Sequence, residues 1–267
     1  MGAGMSDVIF ARTRTVYDSY IDYFKLAELS GYPIVYCDEI DVDSDNLYIF
    51  TPLNGENNHG WPVSRATIVL WDGEWRLKES DYQWSDSDLV VPPGVSRVWA
   101  SDKWYAERIH AEYVPLGSHP GLVGTAQTDE TFDIATMCYI WGRRGNITTC
   151  LQERGVSIAP NGWGDERDAL LKSSSALLHI HQHAKVHTVA PLRYAIAAAW
   201  HLPLISESVY DRGIFETSVL YADYDALADY AALMVKRYGR ELQSKADELH
   251  NQLCIDGSFR KFIDAAV

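Results

Sequence analysis

The chain has 267 residues, 47% hydrophobic and 12% aromatic, which is enough apolar material for one large core or two small ones and excludes a disordered or fibrous protein. The net charge of −14 comes without a basic run, so no broad face for duplex nucleic acid or an anionic membrane is expected, and any bound phosphate must rest on a few local arginines. The opening MGAGMS has no signal-peptide pattern and no run nears the ~18 apolar residues of a membrane span. The cysteines, Cys37, Cys138, Cys150 and Cys254, show no paired spacing, so the expectation is a cytoplasmic protein with free thiols.

In chain order, SDVIFART reads as a first strand. Residues 17–30 follow as a helix with an apolar stripe at Tyr20, Tyr23, Phe24 and Ala27, stopped by Gly31. YPIVYCDEI, NLYIFTPL, ATIVLWDG and SRVWASD are the next strands, with SDYQWSDSDLVVPPG a connection between the last two. From Tyr113 two Pro–Gly clusters and an acidic stretch read as an interdomain linker, with a hinge over Val114 to Gly124. The alternation then restarts. DIATMCYIWG is a strand, 146–155 a helix, VSIAPNGWG a strand and loop, and DERDALLKSSS a helix. ALLHIH is a strand, APLRYAIAAAWH a helix with Pro191 in its first turn, PLISE a strand, and 224–253 one long helix. Strands alternating with helices in two sets imply an α/β protein of two Rossmann-like domains facing across a cleft. The domains are an N-terminal one over 1–116, a C-terminal one over 125–256, and a tail over 257–267 that packs back on the first.

The chemistry concentrates between Tyr139 and Glu207, with a polar cluster after nearly every strand, the edge where open α/β sheets bind ligands. In YIWGRRGN, Gly142 and Gly145 let a backbone approach a ligand, and Arg143 or Arg144 can pair with a diphosphate at a helix start; a plain turn with solvated arginines is the other reading. In PNGWG, Asn161 and Gly162 can meet a base edge with Trp163 as a cover, or form a turn around a half-buried tryptophan. His179, His181 and His183 fall on one side if the strand stays extended. That spacing suits a metal, but no completing H-E-x-x-H or cysteine pair is present, so a role against the sugar or pyrophosphate is preferred. Arg193 sits in the first turn of its helix, where dipole and guanidinium both favour phosphate. Glu207 ends a strand, where a carboxylate can bind two ribose hydroxyls. A surface salt bridge and a helix cap are the structural alternatives.

GRRGN, SIAPNGWGDER, SSSALLHIHQ, APLR and PLISE, in that order, resemble the C-terminal half of GT-B glycosyltransferases, in particular the group with spore-coat and other bacterial or phage sugar transferases. YVPLGSHP resembles their interdomain segment, and VLWDGEW and VWASDKWYAE the last strands of their N-terminal domain. The resemblance covers nearly the whole chain and is specific from about Tyr139 to Glu207. It implies a hexosyltransferase with a nucleotide-sugar donor, UDP-glucose favoured, and no cofactor or obligatory metal. The donor would be held by Gly142, Arg143, Arg144, Asn161, Gly162, Trp163, His183, Pro191, Leu192, Ser206 and Glu207. Arg193, His181 and Asp72 would be catalytic. Arg14, Asp38, Asp72, Glu74 and His59 are the candidates on the acceptor side, with the acceptor itself unknown. The sequence departs from the family pattern at one point: where many retaining members carry a glutamate, the helix here is apolar around Ile196. The chain is also short, which implies slow hydrolysis of the donor when no acceptor is present. A protein that binds or hydrolyses a nucleotide-sugar without a dedicated acceptor is the alternative.

Overall fold

The computed structural model describes residues 7–14, 21–51, 65–72, 91, 93–185 and 187–267, with only the backbone of Asp72. Glu74 and His59 lie outside the described residues, as does most of SDYQWSDSDLVVPPG. The chain divides into two compact units, 1–115 with 266–267, and 116–265.

The first unit is a parallel sheet of β1 (Val8–Arg12), β2 (Ile34–Tyr36), β3 (Leu47–Phe50), β4 (Thr67–Asp72), β5 (Arg97–Ala100) and β6 (Glu112–Tyr113), in the order β2-β1-β3-β4-β5-β6. Helix α1 spans Ile21–Leu29 and α2 spans Lys103–Arg108. Gly31 ends α1 at φ 82°, the left-handed conformation that a side chain resists. β-Branched and aromatic runs such as LYIF are buried throughout, as strands covered on both faces require. Register places Trp71 beside Trp99, edge to face at 6.0 Å, both fully buried. The indole of Trp71 donates to Ser101 Oγ at 2.7 Å, so the polar atom of this core aromatic is satisfied. Arg97 donates to the carbonyl of Ala266 at 2.7 Å, which ties the last residues to this unit.

The second unit has the parallel sheet β10-β9-β8-β7, from β7 (Phe132–Ala135), β8 (Ser174–His179), β9 (Leu204–Glu207) and β10 (Leu220–Ala222). Its helices are α3 (Arg143–Glu153), α4 (Asp165–Lys172), α5 (Pro191–Ala199), α6 (Tyr224–Arg237), α7 (Gly239–His250) and α8 (Phe259–Ala266). Ile134, Leu178 and Ile205 of the sheet pack with Leu151, Leu227 and Ala231 of the helices in one core.

Several elements differ from the sequence reading. The strand read in DIATMCYIWG stops at Ala135, because Met137 turns left-handed at φ 47°. The strand in VSIAPNGWG is reduced to a single bridge, Ile158 against Ile134. Helix α3 starts three residues earlier than expected, so both arginines lie inside it. The long helix 224–253 is broken at Tyr238 (φ −119°, ψ 39°) into α6 and α7, and a π-helical turn follows over Asn251–Asp256.

The segment read as a linker is fixed to the second unit from Leu116 onward. Ser118 takes part in backbone bonds to Leu253 and Phe259, and its hydroxyl donates to the Ala195 carbonyl at 2.6 Å. Gly117 lies so close to the C-terminal segment that a Cβ there would sit 2.5 Å from the Phe259 nitrogen and against the Gly257 carbonyl. Backbone atoms cannot yield as a flexible side chain can. Gly117→Ala is therefore expected to lower stability by about 1–3 kcal/mol. Gly239→Ala, with nothing within 4 Å, should leave stability unchanged or raise it by about 0.5–1 kcal/mol through helix propensity. Thermal unfolding of the two variants checks this; equal losses would contradict the close crossing.

Candidate functional site

Because Ile158 pairs on the outer side of β7 while β8 pairs on the inner side, the chain leaves β7 in one direction and returns in the other. The carboxyl ends of β7 and β8 therefore flank a topological switch point, the crevice where open α/β sheets take ligands. Helix α3 begins there from Gly142, at φ 56°, ψ −129°, a backbone region that glycine alone visits without strain. This sharp entry puts Arg143 and Arg144 in the first turn.

The two arginines cross the crevice differently. Arg143 stacks over the ring of Tyr224 at 3.9 Å and donates in bidentate fashion to Glu207, Nη2 to Oε1 at 2.7 Å and Nη1 to Oε2 at 3.0 Å. It also reaches the His181 carbonyl at 3.2 Å. Arg144 is buried and donates from Nε to the Ile180 carbonyl at 3.0 Å. Burial and the nearby Arg193 guanidinium both press its pKa downward. Arg193, in the first turn of α5, meets His179 Nδ1 with Nη1 at 2.7 Å. Among the described residues no carboxylate lies within ion-pair distance of Arg144 or Arg193. Of these three guanidiniums only Arg143 is paired with a carboxylate among the described residues, in a chain of net charge −14.

Glu207 is fully buried and accepts three hydrogen bonds, two from Arg143 and one from the His181 amide at 3.0 Å. The carboxylate expected to meet ribose is thus already engaged inside the protein, with Oε1 accepting one bond and Oε2 two. Successive strand residues point to opposite faces, so the Ser206 side chain lies on the other face of β9 from Glu207. Its hydroxyl is buried between Tyr194, which donates to it at 3.1 Å, and the Glu207 carbonyl. At Gly162 a Cβ would lie 2.9 Å from Leu170 Cδ1 and 3.1 Å from the Arg167 nitrogen, so its small size also serves packing on α4.

The histidines are also rearranged. β8 ends at His179, so the alternation expected through His183 stops there. His179 and His181 remain edge to face at 4.9 Å, while His183 is half-buried on a bend. Burial and then the two arginines Arg144 and Arg143 lower the pKa of His183, which places it on the cationic side of the crevice. The residue missed by sequence reasoning is His187, 5.0 Å from His181 ring to ring and 3.9 Å from Glu207. Its only signal was another histidine four positions beyond His183. His181, His187 and Glu207 offer ligand atoms within 4.8 Å of one another. Both carboxylate oxygens face the Arg143 guanidinium, however, so a cation there would have to displace it.

The remaining candidates stand elsewhere. Pro191 is buried at the first position of α5, and Leu192 is half-buried beside it. Trp163 stacks obliquely on Tyr139 at 5.9 Å, and the buried Asn161 Oδ1 has no partner among the described residues. Between α3 and this loop runs a groove of about 530 Å³ lined by Gly142, Gly145, Asn146, Thr149 and Pro160. In the first unit, Arg14 pairs with Asp38 at 2.9 Å and with Glu39 at 3.1 Å on the exposed surface. Asp72 ends β4, its backbone beside Ala100.

No protein-family model matches the chain, and no curated protein does. Solved structures do. The T4 phage β-glucosyltransferase D100A mutant in complex with UDP-glucose superimposes with a TM-score of 0.54 at 15% identity, over 98% of both chains. AviGT4, a glycosyltransferase involved in avilamycin A biosynthesis, gives 0.57 at 10% identity over 96% of both. An α,α-trehalose-phosphate synthase (UDP-forming) from Burkholderia vietnamiensis gives 0.51 at 9% identity, over 93% of this chain and 77% of that one.

The fold is GT-B. Two Rossmann-like units with parallel sheets are its hallmark, and the crevice described above belongs to the C-terminal unit of that GT-B fold. No helix among the described residues is long and apolar enough to cross a membrane.

Burial moves the His181 imidazole from its free value of 6.5 down to about 4, outweighing the attraction of Glu207, and also holds His179 well below its free value. Both are neutral in the folded protein near neutral pH. The unfolded chain binds their protons first, so stability is lost as the pH falls below 6.5. For His181 alone the loss reaches about 2 kcal/mol by about pH 5. Denaturant unfolding across this range should show a shallower slope for His181→Gln than for wild type. Parallel slopes would contradict the assignment.

Proposed function

We propose that this chain is a glycosyltransferase that takes its sugar from a nucleoside diphosphate donor, UDP-glucose first among the candidates. One observation carries the reading: Arg144 and Arg193 are two guanidiniums with no carboxylate partner among the described residues, in the first turns of two helices beside the switch point of a GT-B unit. Two unneutralised cations at helix N-termini suit a diphosphate, whose charge is doubled and whose oxygens accept charge-assisted hydrogen bonds. The UDP-glucose complex of the T4 phage enzyme, which shares the fold, favours the same donor class.

The chemistry follows from the leaving group. Breaking the bond between the sugar and the diphosphate puts additional negative charge on the β-phosphate. A guanidinium already in place stabilises that charge more in the transition state than in the bound donor. Arg193 is assigned this role, with Arg144 beside it, and the pair replaces the divalent metal that other transferases use. Arg143 is held by Glu207, and its turn toward the donor would require that pair to open. His181, neutral and anchored to the Ser208 carbonyl at 3.1 Å, is assigned to orienting the sugar. Asp72 is retained as the base for an acceptor hydroxyl. Without an acceptor, water takes its place and the donor is slowly hydrolysed.

Release of UDP from UDP-glucose, measured in chelator, tests this. Wild type should turn over without added metal, and Arg193→Ala should fall by about 100-fold or more, as loss of a charge-stabilising donor does. His181→Ala should raise the Michaelis constant and cost less in rate. A requirement for magnesium or manganese, or full activity in Arg193→Ala with none in His181→Ala, would overturn these assignments.

A further inference from the structure

The two partners chosen for the arginines of the crevice differ in charge. Arg143 faces the Glu207 carboxylate, and the pair is neutral. Arg193 faces an imidazole, with its Nη1 2.7 Å from His179 Nδ1. A guanidinium only donates, so Nδ1 must hold a lone pair and the ring proton must sit on Nε2. His179 is 3% exposed, and among the described residues its Nε2 has no hydrogen-bond partner. A histidine kept for its own hydrogen bonds would not leave a buried donor unmatched, so the contact with Arg193 is the one polar interaction this side chain is placed to make.

We propose that His179 is a positioning residue, a buried neutral acceptor that aims the Arg193 guanidinium at a diphosphate without cancelling its charge. A carboxylate at this position would orient Arg193 equally well, but the resulting pair would be neutral and would lose the attraction for the ligand's phosphates. An apolar side chain would preserve the charge but leave a long, flexible guanidinium unfixed. The uncharged state is consistent with the surroundings: burial acts first, then Arg193, His181 and Arg144, all against protonation. Its location at the last residue of β8, with Arg193 in the first turn of α5, lets the rigid sheet edge set the direction of the guanidinium.

This inference rests on the diphosphate reading, and the test separates the two. UDP and inorganic pyrophosphate are titrated calorimetrically into wild type, His179→Gln, His179→Leu and His179→Glu, with unfolding measured in parallel. His179→Gln, whose amide oxygen is a neutral acceptor, should bind within a fewfold of wild type. His179→Leu should weaken both ligands by about tenfold, and His179→Glu by more, since it pairs with Arg193. In an Arg193→Ala background, His179→Leu should cost no further affinity, a non-additivity that a merely structural histidine would not produce. Should His179→Glu fail to fold, His179→Leu and the double variant decide alone; His179→Met replaces His179→Leu if that variant fails. Wild-type affinity in folded His179→Leu or His179→Glu, or additive losses in the double variant, would overturn the role of His179 alone. Absence of UDP and pyrophosphate binding by the wild type would overturn the diphosphate reading and this inference with it.

Discussion

A carboxylate buried at the end of a parallel strand must be compensated within the protein, and the arrangement of the crevice follows from how Glu207 meets that demand. Its three hydrogen bonds join elements far apart in sequence: Arg143 in the first turn of α3, the His181 amide just beyond β8, and Glu207 itself closing β9. Truncating one partner would leave an unmatched buried charge, at a cost of about 3–5 kcal/mol. The pair therefore fixes where α3 starts relative to the sheet. Tyr224 adds to this by stacking on the guanidinium and donating its hydroxyl to the Arg143 carbonyl at 3.0 Å.

With Glu207 committed to Arg143, no carboxylate among the described residues lies within ion-pair distance of Arg144 or Arg193. Positive charge then accumulates at one sheet edge of an acidic protein, and burial first, with the guanidiniums beside them, keeps His179 and His181 neutral. That combination is costly for folding alone, since buried like charges repel and two buried imidazoles resist protonation. Such a concentration of unfavourable terms at a switch point is the pattern expected of a site kept for a ligand. An anion that bridges Arg144 and Arg193 would relieve the repulsion on binding.

Much of this was legible in the sequence. Alternating apolar runs and helical stripes give the two parallel sheets, and the motifs from GRRGN to PLISE carry the resemblance to GT-B proteins. Arg143, Arg144, His181, Arg193 and Glu207 do converge at one crevice. What was not legible depended on side-chain direction. That the Ser206 hydroxyl is held by Tyr194 depends on α5 packing against β9, a contact set by the fold. That Gly162 packs on α4 depends on a neighbour set by the fold. The Arg143–Glu207 pair spans 64 positions, beyond any local pattern. His187 joins the cluster because β8 stops at His179 and the chain turns back, whereas an extended strand would have brought His183. The break at Tyr238 interrupts a stripe whose three–four spacing continues on both sides, so periodicity alone could not reveal it.

The central claim is that the recognised feature is the diphosphate. Calorimetric titration of uridine, UMP, UDP and UDP-glucose into the intact protein, at low and high salt, tests it most directly. The account predicts a steep rise in affinity from UMP to UDP, retention in UDP-glucose, and a marked weakening of UDP binding by salt, with uridine weak and insensitive to salt. Equal affinities for uridine and UDP, unaffected by salt, would contradict it.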